Sequence, residues 1–383
     1  MDYKKKILIL HGSAGYGHQK AAEALAGAFR TLEPDARVDV RDALDFFPPW
    51  LKKAYVGIYL HLISHHPQMW GFNYRLFDWK RIAPLVDFAR RHFNGLMAPG
   101  LARLLTEECP DAVFCTHFLS AEVVADLKRR GKCSAKAVTV ITDFLVHRFW
   151  VFTETDLYAV ASEKTMEALT AMDIPDGKIA VTGIPVDPKF ARAGSRAEAA
   201  RRLGLDPGRF TVLLTSGGAG SGPLLAALEH ILRASPHIQV AVVTGRNEAV
   251  KKAAETVAVS QPGVKVFGFV NNMDEFMDAC DVIVGKGGGL TLSEALAKRK
   301  IFFILYPVPG QETHNAECLE SAGAAVWVRS MKELERRLKD IIENPETARR
   351  YAEAIAKVSR PDSARRAAEA GLKLLERGAR AAG

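Results

Sequence analysis

The stretch Val282–Glu317 reads VIVGKGGGLTLSEALAKRKIFFILYPVPGQETHNAE. It predicts an apolar strand at Val282–Val284, a glycine-rich turn, a helix that carries Thr291 and Glu294, and a second apolar strand at Ile301–Tyr306. Apolar strands that alternate with helices indicate a parallel sheet covered on both faces. The stretch therefore predicts an α/β fold with a Rossmann-like sheet.

The same stretch carries the groups that a nucleotide sugar needs. Consecutive glycines beside a helix N-terminus leave main-chain N–H groups open to phosphate, and Lys286 adds a positive charge there. Glu294, one turn into the helix, can accept hydrogen bonds from ribose hydroxyls. Gln311 and Glu312 follow a Pro-Gly turn and can bond the hydroxyls of glucose, galactose or N-acetylglucosamine. The spacing predicts a nucleotide-sugar site.

The composition suits two domains and an anionic partner. With 383 residues, of which 48% are hydrophobic, the chain can form two ordinary cores. The net charge of +8 favours a nucleic acid, an anionic membrane surface or a diphosphate ligand. Five scattered cysteines without a CxxC pair indicate reduced thiols in a cytosolic protein. The N-terminal apolar run is too short for a signal peptide, and no segment reaches the roughly 18 apolar residues of a membrane span.

Strand and helix patterns alternate along the whole chain and form two similar halves. We expect two Rossmann-like domains that face each other across a cleft, with ligands at the carboxyl ends of the strands. The expected domains are residues 1–190 for the acceptor, residues 191–362 for the donor, and a helix at 363–383 that packs back on the first domain. The predicted strands are Lys6–Leu10, Ala112–Thr116, Ala137–Thr142 and Lys178–Thr182, then Phe210–Thr215, Ile238–Thr244, Val264–Phe267, Asp281–Val284, Ile301–Tyr306 and Ala324–Val328.

Polar groups at the strand ends of the first half are the candidate catalytic residues. His18 follows the last glycine of the loop HGSAGYGH, where a neutral imidazole can take a proton from a hydroxyl. Asp143 can orient His18 or stabilise its protonated form. A helix cap is the plain alternative for both. The other polar groups expected at this edge are His11, His117 and His147.

Two more segments of the second half fit a nucleotide diphosphate. The loop TSGGAGSGP at Thr215–Pro223 follows an apolar strand and opens a helix, which suits a diphosphate bound by main-chain N–H groups. The segment at Phe269 and Val270 can pack against a base and hydrogen-bond it. The chain has no Asp-x-Asp and no cluster with metal-ligand spacing, so we expect helix dipoles, hydroxyls and Lys286 to stabilise a departing diphosphate without a metal or other cofactor.

The segment Phe46–Phe93 is crowded with aromatic and basic side chains. This composition is typical of a helix in a membrane interface, although an aromatic core with solvated basic faces and a nucleic-acid surface use the same ingredients. The chemistry of the second half favours the membrane, and we expect no nucleic-acid partner. The apolar face of the helix at Trp50–Ile63 consists of Leu51, Tyr55, Ile58 and Leu62. The residues expected to meet a membrane or the acceptor are Trp50, Lys52, Lys53, Tyr55, Trp70, Trp79 and Arg81.

Motifs in both halves resemble one known family. In the first half they are the loop ending in Gly17 and His18, the run from Thr142 to Trp150, and VTGIPVDPKF at Val181–Phe190. In the second half they are GKGGGLTLSEALA and PVPGQETHNAE. Along nearly its whole length the chain resembles glycosyltransferase family 28 of the GT-B fold, in particular monogalactosyldiacylglycerol synthases and processive diacylglycerol glucosyltransferases. The second-half motifs are also similar to the peptidoglycan enzyme that adds N-acetylglucosamine to lipid-linked muramoyl-pentapeptide.

The resemblance implies a role for each motif. His18 would be the general base, the main chain at Val270 would hold uracil, and Thr291 with its neighbouring glycines would contact the diphosphate. One departure is Asp187, since lipid-glycosylating relatives often carry Arg shortly after the Gly-x-Pro turn. Taken together, the motifs and the resemblance predict the donor-binding residues Ser216, Gly217, Gly218, Phe269, Val270, Lys286, Gly287, Gly288, Gly289, Thr291, Glu294, Gln311 and Glu312.

The function implied by the resemblance is an inverting transfer of a hexose from a UDP-sugar to the free hydroxyl of diacylglycerol. We expect this reaction in the cytoplasm, on a protein peripherally associated with the inner face of the cell membrane. The alternatives are transfer of N-acetylglucosamine to another lipid-linked acceptor, a UDP-N-acetylglucosamine 2-epimerase, and a non-catalytic nucleotide-sugar sensor.

Overall fold

The computed structural model separates into two units, each built on its own sheet. It describes residues 5–13, 15–66, 68–69, 71, 99–217 and 222–382. The first unit comprises the described residues of Met1–Pro188, Pro309–Gln311 and Asp362–Gly383, and the second comprises those of Lys189–Val308 and Glu312–Pro361. The C-terminal segment therefore packs with the N-terminal half of the chain.

Each unit contains a parallel sheet, which within the described residues has six strands. The strand order is β2-β1-β3-β4-β5-β6 in the first unit and β12-β11-β10-β7-β8-β9 in the second. The strands of the first sheet are β1 Lys5–His11, β2 Ala36–Asp42, β3 Ala112–Cys115, β4 Lys136–Val140, β5 Leu157–Val160 and β6 Ile179–Val181. The strands of the second are β7 Thr211–Thr215, β8 Gln239–Val243, β9 Val264–Phe267, β10 Val282–Gly285, β11 Ile301–Leu305 and β12 Val326–Val328.

Helices connect the parallel strands, as crossover connections require. In chain order they are α1 Tyr16–Leu32, α2 Pro49–His65, α3 Pro99–Glu108, α4 Phe118–Arg129, α5 Glu163–Thr170, α6 Pro188–Ala191, α7 Arg196–Arg202, α8 Leu224–Ala234, α9 Glu248–Val259, α10 Met273–Ala279, α11 Gly289–Ala297, α12 Gln311–Ser321, α13 Met331–Glu343, α14 Pro345–Val358 and α15 Ser363–Ala382. Short 3-10 helices cover Ala43–Phe46, Arg148–Trp150 and Asp176–Lys178.

The C-terminal helix α15 completes the core of the first unit. Its small residues Ala364, Ala367 and Ala368 are buried in the same cluster as Leu25 and Phe29 of α1. Close packing is also visible at Gly371, where a Cβ would collide with the ring of Phe114 on β3. The alanine-rich face of α15 thus lets the helix approach the sheet closely.

The predicted fold class, two Rossmann-like halves, is confirmed. All six strands predicted in the second half are present, with ends that differ by one or two residues. In the first half the sequence reading missed β2 and β5. β2 reads ARVDVRD and is mostly half-buried, so it lacks the continuous apolar run of a central strand. β5 is fully buried but only four residues long.

Candidate active site

His18 lies in the first turn of α1 and is fixed by groups from two neighbouring strand ends. Its Nδ1 is 2.7 Å from the carbonyl oxygen of Thr116 and 3.0 Å from the hydroxyl of Thr142. Because a carbonyl oxygen can only accept, Nδ1 must carry the proton. The neutral ring therefore keeps an unprotonated Nε2, which is the form that a general base requires.

The surroundings of His18 favour the neutral ring. Burial lowers the pKa of its imidazole from 6.5 to about 4, although the bond to the Thr116 carbonyl raises it, and nearby His11 lowers it further. The ring of His117 meets that of His18 edge-on, with 4.7 Å between centroids, and Trp150 lies at 6.2 Å. At neutral pH the resting side chain is thus ready to accept a proton.

The other strand-end histidines have structural partners. His117 caps α4 by accepting the N–H of Leu119, and its pKa lies well below the usual value because it is buried beside His18 and His11. His147 caps the 3-10 helix that follows it by accepting the N–H of Phe149. Burial also lowers the pKa of His11, whose Nδ1 has no hydrogen-bond partner among the described residues. The sequence left a helix-cap role open for His18 and Asp143, and the structure shows such a role for His117 and His147.

Asp143 is buried and directly follows Thr142, which contacts His18. Both of its carboxylate oxygens are 3.0 Å from the side-chain amide nitrogen of Gln311, which packs with the first unit. The structure therefore brings together two residues to which the sequence gave separate roles. Nδ1 of His18 itself donates to the carbonyl oxygen of Thr116 and lies within hydrogen-bond distance of the Thr142 hydroxyl.

In the second unit the glycine-rich turn after β10 is closely packed. A Cβ at Gly285 would lie 2.8 Å from the carbonyl oxygen of Thr215, and one at Gly287 would lie 3.0 Å from Ile304. The carbonyl of Gly287 accepts a hydrogen bond of 3.0 Å from the fully buried amide of Asn315. Sequence analysis did not assign Asn315 a role, although it lies in the same motif as Gln311. This bond fixes the position of the Gly287 peptide in the turn.

Helix α11 begins at this turn with glycines, so its N-cap residue has no side chain to offer to the first main-chain N–H groups. Gly288 is its N-cap residue and forms no side-chain cap bond, and Gly289 is the first helical residue. The hydroxyl of Ser293 bonds back to the carbonyl of Gly289, whereas Thr291 and Glu294 are half-buried. An uncapped helix N-terminus of this kind attracts anionic oxygens.

Glu312 stabilises the turn before α12 through a hydrogen bond to its main chain. Its Oε2 accepts the N–H of Val308 at 2.8 Å. Burial raises the pKa of its carboxyl, while the charge of Lys286 and the bond from Val308 act in the opposite direction. The positive charge of Lys286 therefore acts on the Glu312 carboxyl. The glycine turn, Lys286 and Glu312 form one cluster.

The loop after β7 offers a buried hydroxyl and a glycine turn. Ser216 is buried, and its Oγ has no hydrogen-bond partner among the described residues. Gly217 has a φ of +72°, which favours glycine because a side chain is strained there. Gly218, predicted for the same loop, lies outside the described residues. An unpaired buried hydroxyl is costly, so Ser216 fits a group that bonds a ligand.

The segment after β9 presents an aromatic ring. Phe269 is 46% exposed, and the guanidinium of Arg246 lies over its ring at 4.8 Å from the centroid. Val270 beside it is half-buried. Sequence analysis missed Arg246, which follows β8 at the neighbouring strand end. A flat ring stacked under a cation suits contact with a planar base.

Helix α2 places its predicted membrane residues in different environments. Trp50 is 65% exposed and Lys53 is also exposed, whereas Tyr55 packs against the core cluster that contains buried Leu51. The ammonium of Lys52 bonds Asp42 at 2.9 Å and also pairs with Asp45. Trp70, Trp79 and Arg81 lie outside the described residues.

Among the described residues, no group of three or more His, Cys, Asp or Glu side chains is arranged to hold a metal ion. In the same part of the chain, no helix is long and apolar enough to cross a membrane.

Comparison with solved structures defines the class of fold. MurG of Acinetobacter baumannii matches with a TM-score of 0.59 at 13% identity, over 96% of this chain and 99% of that one. A UDP-GlcNAc 2-epimerase of Neisseria meningitidis, bound to UDP-GlcNAc, matches with a TM-score of 0.59 at 15% identity, over 97% of this chain and 100% of that one. The two Rossmann-like units thus form a fold of the GT-B type.

Sequence comparison then identifies the family. Residues 18–186 match the model of monogalactosyldiacylglycerol (MGDG) synthase, and residues 211–367 match the C-terminal domain of glycosyltransferase family 28. A processive diacylglycerol beta-glucosyltransferase of Bacillus thuringiensis is 30% identical over 361 residues, which cover 93% of this chain and 90% of the relative. The chain belongs to glycosyltransferase family 28, in the group of the diacylglycerol glycosyltransferases.

Proposed function

We propose that this chain is an inverting glycosyltransferase that moves a hexose from a UDP-sugar to the free hydroxyl of diacylglycerol. The observation that carries the proposal is the 30% identity to a processive diacylglycerol beta-glucosyltransferase over 93% of the chain. The geometry supports it, because one unit carries an imidazole fixed as a base and the other carries an uncapped glycine turn suited to phosphate.

His18 acts as the general base. The Thr116 carbonyl keeps the proton on Nδ1, so Nε2 takes the proton of the acceptor hydroxyl as that oxygen attacks the anomeric carbon. Attack from the face opposite UDP inverts the anomeric centre and gives a β-glycoside from an α-linked donor. A pKa near 4 means that the proton moves as the new bond forms, when the hydroxyl becomes acidic. Asp143, next to Thr142, supplies negative charge near the imidazolium.

The second unit binds the donor and stabilises the departing UDP. The first N–H groups of α11, Lys286 and the hydroxyl of Ser216 meet the diphosphate, where negative charge grows as the bond breaks. That hydroxyl has no hydrogen-bond partner among the described residues. Glu294 binds the ribose hydroxyls, and Phe269 with the main chain of Val270 holds the uracil. Gln311 and Glu312 bind the hexose.

Catalysis takes place at the cytosolic surface of a membrane, where diacylglycerol resides. Trp50 and Ile58 of α2 are 65% and 61% exposed, and Lys53 lies on the same helix. Exposed aromatic and basic side chains favour a membrane interface. The net charge of +8 then favours binding to an anionic membrane and to the diphosphate rather than to a nucleic acid.

A panel of donors and acceptors tests the proposal. The protein is incubated with UDP-glucose, UDP-galactose or UDP-N-acetylglucosamine and with liposomes that contain diacylglycerol, and the lipids are analysed by mass spectrometry. We expect a hexosyl-diacylglycerol to form with UDP-glucose or UDP-galactose and to be absent when diacylglycerol is omitted. Conversion of UDP-N-acetylglucosamine without lipid would instead show an epimerase, and UDP-sugar binding without any product would show a sensor.

A further inference from the structure

The carboxylate of Asp42 joins three segments of the first unit. Its Oδ1 accepts hydrogen bonds from the main-chain N–H of Ser13, at 3.2 Å, and from that of Leu44, at 3.0 Å. Its Oδ2 accepts a hydrogen bond of 2.9 Å from the ammonium of Lys52. Asp42 is the last residue of β2, Ser13 lies in the glycine loop before α1, and Lys52 lies on α2. One side chain therefore ties α2 to the loop that leads into His18.

A second set of contacts runs from this loop to His18. Gly12, next to Ser13, packs so closely on the ring of His117 that a Cβ would lie 2.8 Å from its Cγ. The ring of His117 meets that of His18 with 4.7 Å between centroids. Displacement of the loop at Ser13 would therefore move His117 and, through it, the imidazole of His18.

The carboxylate of Asp42 remains ionised between Lys52, Ser13 and Leu44. Burial raises the pKa of Asp42, but the bonds from Lys52, Ser13 and Leu44 lower it by more, so the net shift is downward. The pKa of Lys52 is raised, because its bonds to Asp45 and Asp42 outweigh burial. Asp42 also lies opposite His11 in the pairing of β1 with β2.

We propose that Asp42 and Lys52 are positioning residues for His18, which hold the glycine loop against α2 so that the imidazole is oriented for proton transfer. This inference rests on the proposed function of His18 as the base. It adds a part-buried contact with Asp42 to the membrane-facing role predicted for Lys52, which stays a prediction. Lys53 and Trp50 remain available on the outer part of α2.

Three substitutions separate this role from ordinary ion pairing. Lys52→Met removes the cation, and Asp42→Asn keeps an oxygen for the N–H groups of Ser13 and Leu44 but loses the charge that attracts Lys52. Lys52→Arg keeps a cation and should restore function. The matched control is Glu33→Gln, which removes the partner of Lys5 at the opposite end of β1, an ion pair of 2.7 Å with both side chains 27% exposed.

Two readouts are used on the full chain. We expect Lys52→Met and Asp42→Asn to lower kcat by about 10-fold to 100-fold, as a displaced catalytic group does, with the KM for the UDP-sugar within twofold of wild type. In NMR, the pH titration of the His18 imidazole should shift in both variants. Glu33→Gln should change neither readout, and Lys52→Arg should stay close to wild type.

The inference is overturned if Lys52→Met behaves like Glu33→Gln in kcat and leaves the His18 titration unchanged. Equal losses in kcat and in donor binding would also overturn it, since they indicate general loss of structure. If the wild-type protein transfers no sugar, the proposed function fails, and the NMR titration alone then decides whether Asp42 and Lys52 position His18.

Discussion

At the scale of single residues, the most informative atom is Nδ1 of His18. The sequence could indicate His18, because a histidine at the start of a helix after a glycine loop faces the carboxyl ends of parallel strands. It could not indicate Thr116, whose main-chain oxygen lies 98 positions away in sequence and fixes the tautomer. Backbone atoms carry no residue-type signal, so this part of the site required the structure.

The low pKa of His18 makes a prediction about the pH dependence of the reaction. A lowered pKa means that the ring stays neutral to a lower pH than an ordinary imidazole, and that activity is lost only as pH falls through about 4. We therefore expect kcat/KM for transfer to be constant from pH 7.5 down to about 5. The measurement is the initial rate at low substrate across this range.

A control distinguishes titration of His18 from loss of the fold. The protein is held at each pH for the duration of the assay and then returned to pH 7.5, where full recovery of the rate shows that the fold persisted. An acid limb centred near pH 6.5 with full recovery would contradict the neutral, buried base.

At the scale of elements, helix α2 shows what helical spacing alone leaves open. The sequence predicted an apolar face of Leu51, Tyr55, Ile58 and Leu62. The structure buries Leu51 and packs Tyr55 against the same cluster, yet Ile58 is 61% exposed. Helical spacing gives the direction of a face but not which of its residues other elements cover. The exposure of Ile58 is compatible with the membrane interface predicted for this segment, which stays a prediction.

The exposed part of α2 gives a prediction about membrane binding. Replacing Trp50 and Lys53 by Ser should reduce co-sedimentation with anionic liposomes at low salt, because an aromatic anchor and a basic contact are both lost. A lysine near an anionic surface contributes about 1 kcal/mol, so its loss alone corresponds to about fivefold weaker binding. The measurement is the bound fraction as a function of lipid concentration.

The matched control removes one apolar and one basic side chain elsewhere. Val259 is 88% exposed and Lys252 is exposed on the same helix, α9, in the second unit. Replacing both by Ser should leave sedimentation unchanged. Equal binding by the two double variants would show that α2 does not dock on the membrane.

At the scale of the whole molecule, the architecture was the part best predicted from sequence. Buried parallel strands are continuous apolar runs such as Ile301–Leu305, and their alternation with helices specifies two similar halves. The edge strand β2 is mostly half-buried and lacks that signal, which is why it was missed. The missed strand matters for the site, because its last residue, Asp42, bonds the loop that leads to His18.

The candidate donor site could be proposed from the sequence more readily than the surroundings of His18, for a related reason. Its residues are close together in sequence, since the glycine turn and the turn at Gln311 flank a single strand. The groups around His18 come instead from β1, β3 and the loop after β4, and only folding brings them together. Asn315 and Asp42 bond main-chain groups, and Thr116 acts through its own carbonyl oxygen, so residue type alone says little about their function.

The measurement that tests the central claim most directly compares His18→Ala with wild type in both turnover and UDP binding. We expect kcat for transfer from the UDP-hexose to diacylglycerol to fall roughly 10²–10⁴-fold, with the calorimetric affinity for UDP within twofold, because the base and the donor site lie in different units. His237→Ala, at an exposed histidine of the second unit, should match wild type in both. Unchanged turnover in His18→Ala would contradict the account.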